Sequence, residues 1–145
     1  MTEVIRITRV FDAPREELWR EWTEPERFAD WFGGVQNEVP ISSVTMDVRV
    51  GGAWRLIMNT LRGEIFWNGE YREVAEPERI VFTVTDQPPP ADYALVTVEL
   101  VDLGDGRTEM RFEQRGPMPP EQIEAATAGW GRFFDRIDER LAASR

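Results

Sequence analysis

From Ser42 to Arg115 apolar residues recur at every second position, and from Glu121 to Leu141 they recur every third or fourth. Period two belongs to strands and period 3.6 to helices. This one change of period confines the chain to a sheet of successive strands closed by a single long helix. "SSVTMDVRV" sets Val44, Met46, Val48 and Val50 against Thr45, Asp47 and Arg49, and Gly51-Gly52 supplies a hairpin turn. "AWRLIMNT" sets Trp54, Leu56 and Met58 against Arg55. "GEIFWNGEYREV" predicts the next strand, "AEPER" a turn into "IVFTVT", and "DQPPPAD" a Pro-rich loop before "YALVTVELVDL". After the turn "GDG", Thr108, Met110, Phe112 and Gln114 alternate with Arg107, Glu109, Arg111, Glu113 and Arg115.

Ahead of this run, "EVIRITRVFDA" predicts an opening strand, followed by two short helices. The first, "DAPREELWREW", has Asp12 to cap it, Pro14 near its first turn and Leu18, Trp19 and Trp22 on its apolar side. The second, "TEPERFADWF", turns Phe28, Trp31 and Phe32 inward. In the closing helix Ile123, Ala126, Thr127, Trp130, Phe133, Phe134, Ile137 and Leu141 form one stripe, with Asp135, Arg136, Asp138, Glu139 and Arg140 on the solvated side. Consecutive hairpins give an antiparallel sheet, and the amphipathic helix covers its apolar face. The class is α+β in one domain over residues 1–145. A sheet of six or seven strands curls, so one helix leaves a hollow between itself and the sheet.

The helix raises a question of its own, because Gly129 and Gly131 flank Trp130. Each glycine costs a helix interior about 0.5–1 kcal/mol relative to alanine. One reading is that they let the helix approach strand backbone while Trp130, Phe133 and Phe134 roof a ligand pocket. The other is that these aromatics are core and the glycines accommodate packing.

Composition removes several chemistries. There is neither cysteine nor histidine, so disulfides, thiolate nucleophiles, imidazole bases and His or Cys metal ligands are excluded. No metal site or cofactor is expected: "DLGDG" matches no calcium loop, and no phosphate-binding or dinucleotide signature occurs. All 17 basic residues are arginine, yet the net charge is −10, which argues against nucleic acid or an anionic membrane surface as partner. No apolar run is long enough to span a bilayer, so no membrane insertion is expected. "MTEVIRITRVFDAP" lacks the layout of a signal peptide, and a cytoplasmic location is the expectation.

Few polar groups are placed for chemistry. Gln114 shares the inward parity of Met110 and Phe112 and can orient a ligand carbonyl or hydroxyl, or else meet solvent at the strand end. On "EIFWNGEYREV" one face carries Ile65, Trp67, Gly69 and Tyr71, the other Phe66, Asn68, Glu70 and Arg72. Hydrophobicity turns the first face inward, which leaves Glu70 and Arg72 as a solvated pair. With the second face inward, Glu70 becomes a candidate base. Tyr71 and Tyr93 are the only phenols available as weak acids.

Four segments in order, "FDAPREELWREWTEPERFADWF", "VGGAWRLIM", "GEYREVAEPERIVFT" and "GWGRFFDRIDERL", resemble the activator-of-heat-shock-protein-90-ATPase homologue family of the START-like (SRPBCC) superfamily. The resemblance spans nearly the whole chain. It implies a helix-grip fold, in which a curved antiparallel sheet wraps a long C-terminal helix around an internal cavity. It also implies a small hydrophobic or amphipathic ligand. The expected lining is Trp31 from the second helix, Met46, Trp54 and Met58 from the first hairpin, and Phe66 and Trp67 from the following strand. Phe82, Val98, Phe112 and Gln114 from the later strands complete it, with Trp130 and Phe134 from the helix. An alternative is a cyclase, aromatase or dehydratase acting on a polyketide-like substrate through Glu70, Tyr71 or Gln114. A third is a chaperone- or protein-interaction module, homodimer included, that uses the "DWFGG" segment around Trp31 and Phe32.

Overall fold

A computed structural model of the protein describes residues 2–34, 36–87 and 92–143. Residues 88–91 of the expected Pro-rich loop lie outside it. The described chain runs β1 (Thr2–Phe11), α1 (Arg15–Thr23), α2 (Pro25–Trp31), β2 (Thr45–Met46), β3 (Ala53–Thr60), β4 (Gly63–Ala75), β5 (Arg79–Val84), β6 (Ala94–Gly104), β7 (Arg107–Pro117) and α3 (Ile123–Ala143). Short 3₁₀ turns at Ile41–Ser43 and Pro120–Gln122 precede β2 and α3. The seven strands form one antiparallel sheet in the order β1-β7-β6-β5-β4-β3-β2. The helices α1 and α2 thus carry the chain from one edge of the sheet to the other, and α3 returns to pack beside β1. This is the helix-grip fold.

Strand parity follows the sequence closely on β3, where Trp54, Leu56 and Met58 are buried, and on β7, where Thr108, Met110 and Phe112 are. On α3 the stripe buries Trp130, Phe134, Ile137 and Leu141. Two expectations need correction. The strand over 42–50 shrinks to Thr45–Met46, because the chain turns back through 47–52 and leaves Val50 64% exposed. On α1 the capping position belongs to Pro14, with no side-chain cap.

The inward face of β4 carries Ile65, Trp67 and Tyr71, as hydrophobicity predicts. Gly69, on the same strand, stands opposite Trp54 of β3. The Trp54 indole donates across β4 to the carbonyl of Thr83 on β5 at 3.0 Å. A Cβ on residue 69 would lie 1.7 Å from that carbonyl oxygen, so only glycine lets the indole through.

The helix glycines have a different explanation from close approach. A Cβ on Gly131 would meet nothing within 4 Å, and one on Gly129 only the tip of Arg132 at 3.8 Å. Neither residue presses against strand backbone. Gly131→Ala is therefore expected to raise the unfolding free energy by about 0.5–1 kcal/mol through helix propensity alone. Urea denaturation checks this; a lowered midpoint would mean that the backbone there requires glycine. The carbonyl of Gly131 accepts from Arg9 of β1 at 3.3 Å, a bond the substitution leaves intact.

Candidate functional site

The concave centre of the sheet is filled. Trp22 from α1 enters it and meets Phe82, Phe112 and Phe134 as well as Phe28 and Trp31 from α2, and Trp31 meets Phe134, with ring centroids between 4.7 and 6.4 Å apart. Trp22, Trp31, Phe112 and Phe134 are all 2% exposed or less. The hollow is displaced to one end, where the first half of α3 stands off from the ends of β5, β6 and β7. There a cavity of about 560 Å³ opens to the surface.

Phe32, the residue after α2, organises its inner wall. Its ring packs at 6.0 Å on Trp67, 5.9 Å on Trp130 and 5.4 Å on Phe133. Ala126 and Gly129 of α3 line it as well, so Gly129 adds room to the cavity. Gln114 supplies the inner polar group. Its Oε1 accepts from the Trp130 indole Nε1 at 2.8 Å, which fixes the amide so that its NH₂ points away from Trp130. That NH₂ makes no hydrogen bond among the described residues. The Trp67 Nε1 on the same wall is enclosed without a hydrogen-bond partner among the described residues.

The mouth is polar. Thr85, Asp86, Asp92, Tyr93 and Gln122 border it, and Asp86, Asp92 and Tyr93 are exposed. Asn68 holds one side of this rim: its Nδ2 donates to the carbonyls of Thr85 (3.4 Å) and Gln87 (3.0 Å). Though it lies on the outer face of β4, Asn68 is only 8% exposed because residues 85–87 fold over it. Tyr93 is held from outside by Arg72, whose Nη2 donates to the phenol oxygen at 3.2 Å.

Of the expected lining residues, Trp67, Gln114 and Trp130 are brought together at this cavity. Trp31, Trp54, Met58, Phe82, Val98, Phe112 and Phe134 are buried in the packed interior instead, and Met46 packs partly buried against it. Phe66 is a correction: it stands on the outer face, 36% exposed, since parity turns its neighbours Ile65 and Trp67 inward. Glu70 is another. It is on the same outer face, paired with Arg72 at 3.0 Å with both side chains about half exposed, an arrangement worth about 0–1 kcal/mol. Tyr71 faces inward but not into the cavity; burial pushes its phenol pKa up, with the nearby Asp47 charge adding to the shift. Trp31 and Phe32 are 0% and 3% exposed, so the "DWFGG" segment presents no aromatic contact surface.

Sequence reading missed Asp86 and Asp92 at the rim and Val84, Ala94 and Met118 in the wall. Their signal was positional: they flank the Pro-rich loop and the turn before α3, where strand ends meet the start of the helix. A second, broader groove of about 790 Å³ lies between α2 and α3. Its Arg27, Asp30, Arg136 and Arg140 are already engaged in ion pairs, which suits an apolar ligand poorly.

Solved structures share this architecture. A Chromobacterium violaceum protein is 27% identical, with 94% of this chain and 95% of that one covered and a TM-score of 0.81. The AHSA1 protein from Silicibacter pomeroyi is 19% identical over 99% of this chain and all of its own, with a TM-score of 0.85. A Nitrosomonas europaea protein is 23% identical over 97% and 95%, with a TM-score of 0.82. No curated protein matches the sequence significantly. Among the described residues no helix is long and apolar enough to cross a membrane. The START-like relationship supports a ligand-binding or chaperone-like module in general terms. Residues 12–142 match the family described as Activator of Hsp90 ATPase homolog 1-like protein, and the chain belongs to that family.

Proposed function

We propose that the protein binds a small apolar or amphipathic molecule in the cavity between α3 and the ends of β5–β7. The observation that carries this reading is the aromatic wall of Phe32, Trp67, Trp130 and Phe133 around about 560 Å³ of open volume, with the free amide NH₂ of Gln114 beside it. Mostly apolar walls with a few fixed polar groups are the usual make-up of a small-molecule site. Binding is favoured over catalysis because Glu70 is on the outer face and Tyr71 is in the packed core, while the titratable groups that do border the cavity, Asp86, Asp92 and Tyr93, stand exposed at its mouth.

Nile red, an uncharged apolar dye, tests the reading. Its fluorescence is expected to rise saturably at one dye per chain. Ala126→Trp, which fills the cavity from α3, is expected to weaken binding at least about tenfold, the equivalent of 1.4 kcal/mol, without lowering the melting temperature. Binding that is not saturable, or that is unchanged in the variant, would rule the cavity out as the site.

A further inference from the structure

The cavity's charge is one-sided. The chain has 17 arginines, yet among the described residues none lines the cavity and the only charged lining groups are Asp86 and Asp92 at the mouth. Neither carboxylate is in a salt bridge among the described residues, although Asp86 Oδ1 accepts from Gln87 Nε2 at 3.4 Å. Of the arginines, Arg72 touches the rim through Tyr93. It sits over the outer side of Tyr93, 5.2 Å from the ring centroid, and is offset by Glu70 at 3.0 Å. Behind the carboxylates stand the rings of Tyr93, Trp67, Trp130 and Phe133.

Carboxylates in front of aromatic faces make a receptor for a cation that carries an apolar body. The ring quadrupole attracts a positive charge, and more strongly where water is excluded. An anionic amphiphile meets two negative charges at the entrance in a chain whose net charge is already −10. We infer that the cavity selects a lipophilic amine: an apolar body against Phe32, Trp130 and Phe133, an oxygen acceptor on the amide of Gln114, and a cationic nitrogen between the aromatic wall and Asp86 and Asp92. This inference rests on the binding reading above and narrows it to a ligand class.

Three probes built on a straight ten-carbon chain separate charge from apolar fit: decyltrimethylammonium, decanol and decanoate. Each is titrated calorimetrically at physiological ionic strength and below its micelle concentration, into wild type, Asp86→Asn/Asp92→Asn and Ala126→Trp. The cation is expected to bind about tenfold more tightly than the alcohol, or 1.4 kcal/mol, and decanoate more weakly than either. The double asparagine variant is expected to bring the cation level with the alcohol and leave the alcohol's affinity unchanged. Both aspartates are exposed, so the variant keeps its core; should it fail to fold, Asp92→Asn alone is expected to remove about half of the preference in logarithmic terms. Equal binding of all three probes, or a cation preference that survives the asparagines, overturns the ligand class and leaves the cavity standing. Binding of no probe, or undiminished binding in Ala126→Trp, overturns both.

Discussion

Trp22→Ala is expected to lower the free energy of unfolding by about 3–5 kcal/mol, the range for emptying a large aromatic site in a closed core. Trp22 is 1% exposed and touches six other rings, the nearest being Trp31 at 4.7 Å, edge on. It fills the space that a curled sheet and a single helix would otherwise leave open. Equilibrium denaturation measures the loss, and a cost below about 1 kcal/mol would mean that the centre tolerates a void and is itself a hollow. The two phenylalanine replacements sharpen the test. The indole Nε1 of Trp22 is buried without a hydrogen-bond partner among the described residues, so Trp22→Phe removes an unsatisfied donor along with some volume. Trp31 Nε1 instead donates to the carbonyl of Glu21 at 2.7 Å. That carbonyl has no helical partner four residues on, because residue 25 is proline and lacks an N–H. Trp31→Phe leaves it buried and unpaired, at an added cost of about 1–3 kcal/mol. Trp31→Phe is therefore expected to be the more damaging of the two.

The second large effect concerns Glu21, which is 1% exposed and faces two arginines. Arg140 Nε donates to its Oε1 at 2.7 Å and Arg27 Nη1 to its Oε2 at 3.2 Å. Replacing both arginines by methionine strands a carboxylate away from water, and a loss of about 3–5 kcal/mol is expected. Glu21→Leu is expected to cost less, under about 2 kcal/mol, because the arginines keep other partners. Arg140 also pairs with Asp30, and Arg27 with Glu24 at 2.9 Å, with 22% and 32% of their side chains exposed. Denaturation curves for the three chains give the order directly, and an equal cost from either side would show that water reaches Glu21. The network also explains why the supposedly solvated side of α3 is only half solvated. Arg136 and Arg140 bind back to α1 and α2, while Asp135 and Asp138 hold Arg9 of β1 at 2.7 and 2.6 Å.

Much of the fold was legible because side-chain period is a local property. Trp54, Leu56 and Met58 had only to alternate, and Trp130, Phe134, Ile137 and Leu141 only to recur at helical spacing, for their faces to be known. The hollow was not legible in that way. Its position depends on how far Trp22, Phe28 and Trp31 reach into the concavity, and that is set by the angle at which two short helices cross the sheet. Inward parity at Phe112 or Phe134 therefore did not distinguish a cavity wall from a filled core. At Asn68 the same limit applies from the other side. Parity turned it outward correctly, but its burial comes from residues 85–87 folding over it. The short β2 shows a third limit, since alternation at Val48 and Val50 continues after strand pairing has stopped.

The pairing of β1 with β7 has a consequence for how the chain assembles. The strands β3 to β7 each pair with their neighbour in sequence, so they close by short loops. The strand β1 has no such neighbour: Phe11 pairs with Thr108, and Thr2 with Pro117. Contacts this distant in sequence form slowly, because the chain entropy of closing the intervening loop is lost before any contact compensates it. On the ribosome, Thr2–Phe11 is synthesised long before Arg107–Pro117, and until then the strand it pairs with is absent. Its arginines Arg6 and Arg9 give it charge during that interval, and charge on an unpaired edge is what opposes premature association with other chains.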